Sequence, residues 1–111
     1  MATVEQYRHY VKQLLEKYAS YSTGEEGLET QIIEDEKHDH YQLFHLGWRN
    51  NRRIYGCIWH IDIKNQKFWI QHDGTEIGMA MELVDLGVPK TDIVLAFHAP
   101  FKRKYTEFAE G

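Results

Sequence analysis

The stretch Gly47–Ile63, GWRNNRRIYGCIWHIDI, decides how the rest of the chain is read. Its two β-rich arms flank Asn50-Asn51, and asparagine tolerates the positive φ that a two-residue hairpin turn demands. A second such turn is expected at Asn65-Gln66. Tyr41–Trp48, Ile54–Lys64 and Lys67–Gln71 are therefore expected to be three successive antiparallel strands. Counting from the turns places Ile61 opposite Ile70, Trp59 opposite His72 and Gln42, and Cys57 opposite Phe44. With a side-chain period of two, Phe44, Leu46, Tyr55, Cys57, Trp59, Ile61, Ile63, Phe68 and Ile70 then share the core face. The other face collects Tyr41, Leu43, His45, Ile54, Ile58, His60, Asp62, Trp69 and Gln71.

Outward from this hairpin, Thr3–Ser20 has a helical period, with Val4, Tyr7, Val11, Leu14, Leu15 and Tyr18 on one stripe. Thr3 and Gln6 have the spacing of a capping box. A loop is expected at STGEEG, and LETQIIED alternates like a strand. A second helix is expected from Asp73, with Glu76 completing its capping box. Gly87 and Pro89 are placed to end it. DIVLAFH supplies a final short strand. The fold class is α+β: an N-terminal helix, a four-stranded mainly antiparallel sheet, a second helix and a last short strand, with residues 1–111 as a single domain.

Composition narrows the chemistry. The chain has 111 residues, 42% of them hydrophobic and 14% aromatic, enough for one packed core. Its net charge of −4 argues against nucleic-acid binding by bulk electrostatics. Residues 24–39 hold seven acidic side chains against one lysine, a solvated and DNA-repelling stretch. Cys57 is the only cysteine, so intrachain disulfides and cysteine-rich zinc sites are excluded. The first residues lack the apolar stretch of a signal peptide and no run is long enough to span a bilayer, so a cytoplasmic protein is expected.

No nucleophile elbow, phosphate loop or paired carboxylate is present, and Cys57 is expected to be inert in the core. The expectation is a non-enzyme without a cofactor. Seven histidines raise the question of a metal. His38 and His40 fall near a turn, and His45 and His60 are offset along neighbouring strands, so no metal site is expected.

Binding is the remaining class. The second sheet face bears Tyr41, Ile58, His60 and Trp69, suited to a protein contact unless the C-terminal segment folds over it. Tyr105 and Phe108, in the aromatic-basic tail FKRKYTEFAEG, are candidate partner contacts as well. Two basic groups, Arg49, Arg52 and Arg53 at the hairpin tip and Lys102, Arg103 and Lys104 in the tail, are the alternative, a direct DNA contact. No helix-turn-helix or zinc-finger pattern accompanies them.

The runs RRIYGCIWHIDIKNQKFWIQHDGTE, ELVDLGVPKTDIVLAFH and KRKYTEFA, with HYQLFHLGW before them, resemble the fdxN element excision controlling factor family, the XisI-like proteins of cyanobacteria. The resemblance spans nearly the whole chain. It implies an α+β fold and an accessory role in controlling site-specific excision of a DNA element during heterocyst differentiation. It also implies a nuclease-like companion of the XisH type, and no catalytic residues to carry over. A protein partner is thus expected first, a second copy of the chain or DNA after it, and no membrane.

Overall fold

The computed structural model describes residues 3–21 and 26–111. Ser22–Glu25, most of the expected STGEEG loop, lie outside them. Helix α1 spans Val4–Ala19 and opens with the expected capping box: Thr3 Oγ1 accepts from the Gln6 N–H and Gln6 Oε1 from the Thr3 N–H. The five strands are β1 (Leu28–Asp35), β2 (His40–Arg49), β3 (Arg52–Lys64), β4 (Lys67–Asp73) and β5 (Ile93–Leu95), hydrogen-bonded in that order. The first four are antiparallel. The short fifth joins β4 in parallel, extending the expected four-stranded sheet at its edge. Asn50, Asn51, Asn65 and Gln66 all have positive φ, as the two tight turns require.

Helix α2, Met79–Asp85, starts later than expected. Asp73 does not cap it in a box with Glu76. Its carboxylate reaches across a Thr75 turn and accepts from the Met79 N–H at 2.7 Å. Gly87, at φ +102, ends the helix as expected. A 3-10 turn at Lys90–Asp92 leads into β5, and a four-residue helix α3, Pro100–Arg103, begins the tail.

The core lies on one sheet face. Tyr7, Val11, Leu14 and Leu15 of α1 and Met79 and Leu83 of α2 pack on Tyr41, Leu43, Trp59, Ile61, Ile63, Phe68 and Ile70. Each such side chain contributes about 1.5–3 kcal/mol on burial. Two hydrogen-bonded links tie helix to sheet and helix to helix. Arg8 grips Asp39 with Nε at 2.7 Å and Nη2 at 3.0 Å, and Lys17 reaches the buried Glu82 at 2.7 Å.

Two bulges overturn half of the expected register. From the turn to Phe44↔Cys57 the pairing is as counted, but the next pair is Leu43↔Trp59, with Ile58 as the extra residue. On the other side Ile61↔Ile70 holds, and then His60 pairs with His72 and Trp59 with Asp73, leaving Gln71 extra. The consequence is a change of face beyond Ile58. Tyr41 and Leu43 turn into the core with Trp59, and Phe44, Leu46, Tyr55 and Cys57 turn out of it. No residue from Phe44 to Ile58 is fully buried, so the three-stranded end of the sheet projects beyond the helices as an arm. The molecule is elongated, 45 × 29 × 24 Å.

Candidate functional site on the outer sheet face

The outer face has two regions, divided by what covers them. Over β4 and β5 the chain covers itself. The Ala109 N–H donates to the Ile93 carbonyl at 2.8 Å, Lys67 Nζ reaches the Gly111 carbonyl at 2.7 Å, and Val94 is fully buried. Trp69 carries this seam: Lys64 Nζ lies 4.9 Å and the Arg103 guanidinium 5.7 Å from its ring centre, and its indole N–H donates to the Lys64 carbonyl. Phe108 is half-buried and packs against the main core, whereas Tyr105 is 79% exposed.

Among the described residues nothing covers the arm's outer face. Trp48 and Tyr55 are 57% and 68% exposed, Ile33 stands on β1, and half-buried Phe44, Leu46 and Cys57 fill the space among them. Phe44 and Tyr55 rings lie 5.6 Å apart, and the Arg53 guanidinium sits over both Trp48 and Tyr55. Burial raises the Cys57 thiol above its usual range. Cys57 thus faces outward in a half-buried apolar setting, not into the core as expected.

The residues expected to bind a partner are distributed differently. Tyr41 is wholly inside, its hydroxyl donating to Asp39, and burial raises its phenol above the usual range. Ile58, at the bulge, lines a shallow apolar cleft of about 290 Å³ with Tyr18, Tyr21 and Ile77 on the helix side. His60 and Trp69 do stand on the outer face, and the tail covers Trp69. Sequence counting missed Phe44, Leu46, Trp48 and Tyr55 on this face because it assumed an unbroken ladder. The HxQ of His40–Gln42 facing the HxD of His60–Asp62 was the signal of the true register. Both are polar at period two and match only if β3 carries one extra residue.

These polar positions converge where the bulges meet. Asp62 Oδ1 takes His40 Nδ1 and His60 Nε2, both at 2.8 Å, while Gln71 Nε2 donates to Oδ2 at 3.2 Å. Gln42 Nε2 stands 3.4 Å from His60 Nδ1. The hydrogen bond to Asp62 raises the His40 pKa. His38 stacks on His40 but bonds its own Asp35, and His45 pairs with Gly56 away from this group.

The two basic groups stay apart. The tip lies at the start of β3 and the tail packs near its end, roughly 30 Å away at 3.3 Å per residue. Arg103 is turned inward, donating to the carbonyls of Ala96, His98 and Glu110. Lys102 and Lys104 lie over the rings of Phe101 and Tyr105. Arg49 and Arg52 flank the exposed turn at Asn50.

A family model described as XisI protein matches residues 1–110. The chain belongs to the XisI family. A XisI-like protein from Anabaena variabilis has a crystal structure that superposes with a TM-score of 0.91 at 43% identity, over 96% of this chain and 98% of that one. The crystal structure of the fdxN element excision controlling factor XisI from the same organism superposes with a TM-score of 0.81 at 35% identity, over 95% and 96% of the two chains. No curated protein matches. Among the described residues no helix is long and apolar enough to cross a membrane.

Proposed function

We propose that this XisI-family chain is a non-enzymatic accessory factor in the control of DNA-element excision, acting by binding a protein partner, with a nuclease-like XisH-type companion as the first candidate. The observation that carries the reading is the open strip of Ile33, Phe44, Leu46, Trp48 and Tyr55 on the arm. A contiguous aromatic and aliphatic patch rimmed by charge has the composition of an interface centre, where Trp, Tyr and Arg carry most binding energy. The acidic Glu29, opposite Leu46, and the net charge of −4 favour a partner with a basic surface. The relation to an excision controlling factor of 35% identity supports the biological setting.

Co-expression with the companion and light scattering after size exclusion tests the reading. A complex is expected, weakened by Trp48→Ala and Tyr55→Ala, with Tyr105→Ala without effect. Cys57 provides a footprint. Its raised pKa keeps the thiolate fraction low at neutral pH, so alkylation accelerates as pH rises through and above the usual thiol range, and a docked partner slows it. No complex, or a complex indifferent to Trp48 and Tyr55, overturns the reading. A second reading, DNA contact by the tip, is favoured by the exposure of Arg49 and Arg52. It predicts binding that falls steeply between low and moderate salt, which an apolar protein contact does not.

A further inference from the structure

We propose that His40, His60 and Asp62 form a binding site for one divalent transition-metal ion of the zinc class. Their three ligand atoms, Nδ1, Nε2 and a carboxylate oxygen, lie within 4.8 Å of one another among the described residues. They come from two strands. His40 faces Asp62 across the β2–β3 ladder, and His60 shares the face of Asp62 two residues earlier on β3. The backbone of the sheet therefore fixes the triangle, and no loop has to close to assemble it.

The contacts of 2.8 Å are somewhat shorter than the separation of about 3.3 Å between ligands around a tetrahedral ion with bonds of 2.0–2.1 Å. Small rotations of the two rings open that space. The outer contacts are those a metal site needs. Gln71 holds the second oxygen of Asp62, and Gln42 stands at the other ring nitrogen of His60, so two of the three ligands are oriented by a neighbour. Metal ligation requires His60 to bind through Nε2 and carry its proton on Nδ1, where the Gln42 amide, turned over, accepts it. Two imidazoles and one carboxylate select zinc, cobalt or nickel over magnesium or calcium, which prefer all-oxygen shells. His40 is 55% exposed, so the fourth position opens to water.

The test uses the full chain stripped of metal, titrated calorimetrically with Zn²⁺ alone and by visible absorption with Co²⁺. Binding of one equivalent is expected, with a dissociation constant on the order of micromolar and the Co²⁺ bands of low coordination number. His60→Ala and Asp62→Asn should each weaken it at least about tenfold, and His38→Ala and His45→Ala should leave it unchanged. Asp62→Asn keeps an oxygen for Gln71 and is expected to fold, so the test stands if His60→Ala does not. Absence of saturable binding, equal affinity in wild type and Asp62→Asn, or a loss in His38→Ala as large as in Asp62→Asn overturns the proposal.

Discussion

Asp39 shows how much one residue carries here. It sits at φ +57 in the turn between β1 and β2, takes two hydrogen bonds from Arg8 and one from the buried Tyr41 hydroxyl, and so joins α1 to the sheet. The Arg8 guanidinium holds its carboxyl below the usual range. Asp39→Ala leaves the Tyr41 hydroxyl without its acceptor and places a Cβ-only residue in a left-handed conformation, at a cost of about 1–3 kcal/mol. Asp39→Asn keeps an acceptor and tolerates the conformation, and should cost clearly less. Urea unfolding of the two variants side by side measures the difference; equal losses would mean that the Arg8 charge pair, and not Tyr41, dominates.

At the scale of elements, most of the fold was legible in the chain because its signals are local. The capping box at Thr3, the positive-φ asparagines of the two turns and Gly87 each act within four residues, and each stands where the sequence placed it. What was not legible is the parity of the ladder. A bulge is a decision between strands, and the residues around Ile58 read equally well with or without it; only the match of His40 and Gln42 with Asp62 and His60, several residues away, marks it. That single misreading exchanged Tyr41 for Phe44 and Tyr55 on the outer face and separated His40 from Asp62. The site inherited every error of the register, the fold almost none. A deletion tests the point. Removing Ile58 leaves Cys57 and Trp59 opposite Phe44 and Leu43 in a regular ladder with every face preserved, whereas removing His60 reverses the faces on one side of it. The Ile58 deletion should fold with a lowered melting temperature and near-native circular dichroism; the His60 deletion should not.

For the whole molecule, the tail decides which part of the outer face remains available. Trp69 is clamped between Lys64 and Arg103, and Arg103 spends its donors on carbonyls of the segment that leads to and from α3. Trp69→Ala removes the ring on which the tail rests but nothing from the main core, so it should cost about 1–2 kcal/mol. Proteolysis within residues 104–110 should quicken while the sheet persists. If Trp69→Ala instead unfolds the chain outright, the tail is an integral part of the core and not a cover.

The absence of any fully buried residue from Phe44 to Ile58 gives the molecule a gradient in time as well as in space. Backbone amides held by Trp59, Ile61 and Ile70 can exchange with solvent only when the entire chain opens, but those of the arm need only a local excursion. Deuterium should therefore enter the arm orders of magnitude sooner than the central ladder. Any partner seated on Trp48 and Tyr55 would register first as a slowing of that early uptake, before a change of shape.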